Sequence, residues 1–182
     1  MRILVIVVLL FSIIFGCALV DLGHSSSVFI YIVDTATGVD SRGRKGRGEG
    51  AVWVLDLATQ RLRALFVSGH QLAANNPDNI TVSPRGGIVL CEDGGNSPDS
   101  YGPGARLLGL TRDGASFYLA KNNVALTSTQ IANAGKSVGE GDYRDSEFCG
   151  ACWTPDGRTL FVNLQSPGIT VAITGPWLRG PL

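Results

Sequence analysis

Asp78 and Glu147 are the acidic residues whose spacing suggests chemistry. Asp78 stands six residues before Pro84, in the turn Ser83-Pro84-Arg85-Gly86-Gly87. Glu147 stands eight before Pro155, in the turn Thr154-Pro155-Asp156-Gly157-Arg158. The two turns match, Pro84 with Pro155 and Gly86 with Gly157. Each carboxylate therefore lies just ahead of the first strand of a repeated unit, and the repeat carries both to one rim. Carboxylates gathered there repel one another unless a cation sits among them, which suits calcium or another hard metal. Glu92 and Asp93 end the second strand of the same unit. Adjacent strand residues point to opposite faces, so at most one of this pair faces inward. Asp78, Glu147, Glu92 and Asp93 are the candidate metal ligands. Without the repeat, each reads as a solvated turn or loop acid.

Other chemistry finds less support. Cys149-Gly150-Ala151-Cys152 is a C-x-x-C, but it falls inside an expected strand rather than at the start of a helix, and no second Cys pair or His cluster completes a zinc site. Ala134-Gly135-Lys136-Ser137 resembles the end of a phosphate-binding loop, yet Gln130 stands where the first Gly is needed. Arg42 to Arg47 is basic and Gly-rich without interleaved aromatics, which reads as an exposed loop. His24 and His70 are isolated, and Ser25 to Ser27 lack a G-x-S-x-G setting.

The elements that must position the acids are strands. Val28–Val33, 51–57 and 61–67 are β-branched and aromatic runs, the last two joined as a hairpin. Strands over 80–82, 88–91, 106–110 and 115–120 follow, spaced like one β-propeller blade of about 40–50 residues. Strands over 149–153, 159–164 and 169–173 repeat the pattern, after an insertion over 122–147 with a short helix near 127–134. The expected fold is all-β: a partial β-propeller of about two to three four-stranded antiparallel blades, one of them complete. A ring needs about 4–8 blades, so open sheet edges remain. The chain then belongs to a longer protein or assembles with other chains, and self-association through those edges is expected. A small open meander or sandwich is the alternative.

The N-terminus differs from the rest. Met1-Arg2 precedes an apolar run from Ile3 to Phe15, and Gly16-Cys17-Ala18 follow. Residues 1–20 read as a signal peptide, a lipoprotein segment with Cys17 as the lipidated residue, or an uncleaved membrane anchor. Residues 21–182 form the folded domain. The chain has 182 residues, 15 basic and 15 acidic, for a formal net charge of zero, which gives no reason to expect nucleic acid as a partner. With 45% hydrophobic and 16% charged residues it is not disordered by composition.

Two runs carry a family resemblance. Asn76 to Gly87 (NPDNITVSPRGG), followed by Cys91-Glu92-Asp93-Gly94, resembles a segment of the PhoX-type alkaline phosphatases. Glu147 to Gly157 (EFCGACWTPDG), then Leu160 to Thr170 and Ala172 to Trp177, resemble their C-terminal signature. The likeness covers residues 28–182. It implies an exported bacterial phosphomonoesterase on a six-bladed propeller, with iron and calcium ions in the central channel and phosphate esters as substrates. By the same likeness Asp78 matches a metal-ligating Asp and Glu147 an acidic residue at the start of the signature. The family's other acidic ligands and its iron-binding cysteine belong to upstream blades, and Gly23-His24-Ser25-Ser26 stands where the family has Arg and Glu. The resemblance therefore implies a C-terminal portion that is not active alone. The alternative is a non-catalytic secreted or membrane-anchored fragment acting as a binding module or calcium site.

Overall fold

The computed structural model describes residues 14–21, 28–38, 42–44, 48–69, 74–93 and 99–182. Among the described residues thirteen strands follow in chain order, and every strand pairing is antiparallel. β1 (Ile14–Asp21), β2 (Val28–Asp34), β3 (Ala51–Asp56) and β4 (Arg61–Val67) form the first sheet in sequence order. β5 (Pro77–Val82), β6 (Ile88–Glu92), β7 (Arg106–Leu110) and β8 (Ser116–Lys121) form the second. β11 (Phe148–Trp153), β12 (Thr159–Leu164) and β13 (Ile169–Thr174) form the third. Between the second and third sheets, β9 (Ala125–Leu126) and β10 (Gly141–Asp142) pair around helix α1 (Ser128–Asn133). The first strands meet: β5 lies against β1 on one side and β11 on the other.

The second sheet is the centre of the core because both of its faces are covered. β6 and β7 are buried at every residue. Side chains alternate across a strand, so Ile88, Leu90, Leu108 and Leu110 pack against Tyr31, Val33, Val52 and Val54 of the first sheet. Val89, Cys91 and Leu107 pack the other way, against Phe148, Leu160, Val162 and Leu164 of the third. This two-sided burial explains why these strands read as continuous apolar runs rather than alternating ones. Each fully buried Leu or Ile contributes on the order of 1.5–3 kcal/mol.

The matched turns are built alike. Ser83 Oγ accepts from the Gly87 amide at 3.2 Å, and Thr154 Oγ1 accepts from the Thr159 amide at 3.0 Å. Gly86 and Gly157 follow with φ of +87° and +66°, a region that favours glycine. The repeat seen in the sequence is thus a repeat of hydrogen bonds.

Two differences from expectation bear on the site. The first sheet has four strands, not part of a blade, because Ile14–Asp21 at the end of the apolar run pairs with β2. The boundary drawn at residue 20 thus falls within β1, while residues 1–13 lie outside the described residues, as do His24, His70, Lys45 and Arg47. Asp78 is also inside β5 rather than ahead of it. The helix of the insertion forms where expected, capped by Thr127, whose Oγ1 accepts from the Gln130 amide while Gln130 Oε1 accepts from the Thr127 amide. Among the described residues no helix is long and apolar enough to cross a membrane.

Candidate metal centre

Asp78 owes its direction to a β-bulge. Pro77 faces Glu92 and Asn79 faces Cys91, so Asp78 is an extra residue with no partner on β6. A bulge of this kind bends the strand and re-aims one side chain. β11 carries its own irregularity between Cys149 and Cys152, where Gly150 takes φ +60°. Asn79 joins the two. Its Nδ2 donates to Asp78 Oδ1 at 2.9 Å, and its Oδ1 accepts from the Gly150 amide at 3.2 Å.

Asp93 follows β6, and its amide donates to the Asn76 carbonyl at 3.1 Å. Glu147 precedes β11. The turn before it is clamped by buried Asn122, whose Nδ2 donates to the Tyr143 and Ser146 carbonyls at 2.6 and 2.9 Å. Gln165 N donates to the Glu147 carbonyl at 3.1 Å. Strand ends from two sheets thus deliver three carboxylates to one place.

Asp78, Asp93 and Glu147 each offer an oxygen, and these oxygens all lie within 4.8 Å of one another. Asp78 is half-buried, Asp93 is exposed, and Glu147 is 9% exposed. Glu147 Oε2 is buried and no hydrogen-bond donor reaches it. Such an atom normally has a partner, because an unpaired buried acceptor costs about 1–3 kcal/mol. Burial first, then the proton-sharing contact and negative charge of Asp93 and the charge of Asp78, push the Glu147 carboxyl up to about 7, against a smaller opposing pull from Gln165. Burial also raises the Asp78 carboxyl; the Asn79 hydrogen bond opposes the rise and the Asp93 charge adds to it.

This donor set fits a hard cation. Calcium binds oxygens at about 2.3–2.6 Å, so two ligands of one ion stand at most about twice that apart. The mutual spacing of the three carboxylates meets that limit, and a cation would satisfy Glu147 Oε2 and cancel the repulsion. No histidine or thiol joins the group among the described residues. Cys91 and Cys149 lie close enough to feel the Asp78 and Glu147 charges, and burial with those charges pushes both thiols up, so they stay protonated.

Glu92 is not part of this group. It faces the opposite side of β6 from Asp93, fully buried, and takes both forks of Arg106 at 2.7 Å. Its Oε1 also accepts from the Asn75 amide at 2.8 Å. Burial alone would lower the Arg106 guanidinium, but Glu92 reverses this and holds it above its ordinary value. Glu92 thus fixes the segment leading into β5 rather than offering oxygens to an ion. Cys149 is half-buried, Cys152 is exposed, and both are free thiols. Asn79 and Asn122 are positioning residues not anticipated from the sequence; an Asn inside a strand run and an Asn directly after one were the only signals, since Asn is depleted in strands.

No curated protein matches this chain. Among solved structures it is similar to a selenomethionine-substituted virginiamycin B lyase from Staphylococcus aureus, at 12% identity and a TM-score of 0.46. That likeness covers 90% of this chain and 41% of the lyase, so the chain spans about two-fifths of that protein's length. Residues 22–168 match the family described as alkaline phosphatase PhoX. The match takes in well over half of the sequence and includes all three converging carboxylates, and the chain belongs to the alkaline phosphatase PhoX family.

Proposed function

We propose that this chain carries part of the cation site of an exported, metal-dependent phosphomonoesterase, with Asp78, Asp93 and Glu147 as hard-cation ligands and calcium as the first candidate ion. Members of the family are generally metal-dependent and exported. The single observation that carries the reading is the convergence of the Asp78, Asp93 and Glu147 carboxylates, the last with a buried, unpartnered Oε2. The three sheets are read as successive blades of a partial propeller, with β1, β5 and β11 as the innermost strands. When bound, the cation would neutralise charge on a phosphate ester and polarise its oxygens. This chain's own residues would hold and orient it: Asp78 through its bulge, Asp93 from the end of β6, Glu147 from the Asn122-clamped turn.

Among the described residues, three carboxylates from two sheets form an incomplete set for a cluster of iron and calcium, and iron finds no thiol or imidazole in this group. Hydrolysis is therefore assigned to a fuller propeller, and this chain alone is expected to bind a cation without turning over substrate. The test is hydrolysis of an aryl phosphate by the full chain with calcium and iron added, alongside bound-metal content. Bound calcium without turnover agrees with the reading. Turnover that is lost on chelation and in Asp78→Ala would show a complete site and overturn the assignment to a fuller propeller. No bound cation would overturn the site itself.

A further inference from the structure

The three sheets treat their outer edges differently. In the first two sheets a fourth strand covers the third, and β7 is buried at every residue. β13 is the third strand of the last sheet, and among the described residues nothing pairs with its outer edge. Ile169, Val171 and Ile173 remain only half-buried there, and Thr170, Ala172 and Thr174 are exposed.

The other two outer edges are protected. β4 carries Arg61 and Arg63, and its pairing with β3 is broken by an irregularity at Val52 and Trp53. The pairing of β8 with β7 is irregular at Leu107 and Leu108, while Lys121 at its end is taken up by Asp99 at 2.7 Å. Charges and bulges are the means by which sheet edges avoid pairing with other chains. β13 has neither. It reads Ile-Thr-Val-Ala-Ile-Thr, uncharged and free of Pro and Gly, and pairs with β12 in unbroken register from Leu164–Ile169 to Thr159–Thr174. α1 and β13 line one cavity of about 420 Å³, with Gln130 and Ile131 on one side and Ile169 and Thr170 on the other, and form no ladder with each other.

We propose that β13 accepts a fourth strand from a second copy of this chain, the two β13 strands pairing antiparallel across a two-fold axis. The sequence of the strand selects this occupant. With Val171 on the axis, Ile169 faces Ile173 of the partner subunit and Thr170 faces Ala172 of the partner subunit. Apolar side chains then meet on one face and small side chains on the other, with no like charges opposed. The irregular edges β4, which also carries Arg61 and Arg63, and β8 of a second copy offer no such match. A six-residue strand pair buries less than a standard interface of about 1,200–2,000 Å², so the dimer is weak and concentration-dependent.

Sedimentation velocity of the full chain over a concentration series tests this. Wild type is expected to pass from monomer to dimer. Thr170→Lys with Ala172→Lys puts lysine opposite lysine twice and is expected to weaken the dimer more than tenfold. Thr170→Lys with Ala172→Glu puts lysine opposite glutamate and is expected to restore it, which separates a register effect from misfolding. In wild type, β13 amides are expected to exchange more slowly as concentration rises. A monomer at every concentration, or association that persists unchanged in the double-lysine variant, would overturn the proposal.

Discussion

Asn79 and Gly150 lie 71 residues apart in the chain and meet at 3.2 Å, the Asn79 Oδ1 accepting from the Gly150 amide. The same Asn79 side chain holds Asp78 through its Nδ2. One amide therefore sets how far the irregularity of β11 stands from the bulge of β5, and with it how far Glu147 stands from Asp78. Gly150 suits this place because its φ is +60° and a Cβ would come within 2.9 Å of Asn163 Nδ2. Gly150→Ala is expected to cost about 1–2 kcal/mol of stability from its backbone conformation alone. It should also displace Asn163, whose Nδ2 donates to the Cys149 carbonyl at 3.4 Å, shift the Gly150 amide that Asn79 holds, and so weaken calcium binding. Gly135→Ala is the matched control, since Gly135 has φ +61° and open space where its Cβ would go. Thermal melts with and without calcium should show a similar loss of stability in both, and a loss of calcium response only in Gly150→Ala.

Glu147 predicts a pH dependence. Its carboxyl is raised from 4.5 to about 7, chiefly by burial and by Asp93 and Asp78. The folded state thus holds the proton more tightly than the unfolded state. The stabilising contribution of the protonated group is complete below the unfolded value and is lost as pH rises through the folded value, that is, from about 4.5 to about 7. Without added cation, wild type is expected to lose stability relative to Glu147→Gln across that window, as read by denaturant titration at a series of pH values. Calcium must displace the same proton, so its apparent affinity is expected to climb with pH and level off above about 7.

The Glu92–Arg106 pair supports the site from behind. Both side chains are almost wholly buried, 0% and 2% exposed. Removing one partner leaves the other charge buried and unpaired, at a cost of about 3–5 kcal/mol. Glu92→Ala is expected to destabilise by that order in urea unfolding. Asp93→Asn, at an exposed carboxylate, should leave stability nearly unchanged without calcium and remove most of the calcium response. Equal effects of the two substitutions on calcium binding and on stability would contradict the separate roles assigned here.

Asn122 tests whether the insertion positions Glu147. Its amide donates twice to the turn ahead of Glu147, and its Oδ1 accepts from the Val124 amide at 3.0 Å. Asn122→Ala strips partners from the half-buried Tyr143 and Ser146 carbonyls and is expected to cost about 1–3 kcal/mol. Calcium affinity should fall several-fold, measured by titration at a temperature where the variant is fully folded.

Much of this arrangement was legible from the sequence because it repeats. The Pro84 and Pro155 turns aligned Asp78 with Glu147, and the structure brings those two side chains together. Strand parity separated Glu92 from Asp93 without saying which faces the site. The deciding partner, Arg106, stands at the start of the next strand, a charged residue heading an otherwise apolar run. The bulge at Asp78 was not legible, because an extra residue in a ladder depends on where the facing strand ends. β1 was hidden for another reason: a short continuous apolar run fits a buried strand as well as it fits an export segment. Asn79 and Asn122 act through contacts across sheets and loops, which periodicity does not reveal.

Calcium titration of the full chain, followed by calorimetry at pH 8 beside an Asp78→Asn, Asp93→Asn, Glu147→Gln triple variant, tests the central claim most directly. The account predicts saturable binding of calcium to wild type with release of heat or protons, a rise in melting temperature on binding, and neither response in the triple variant. A triple variant that binds calcium as wild type does, or a wild type that does not bind it, would contradict the assignment of these three carboxylates to a cation site.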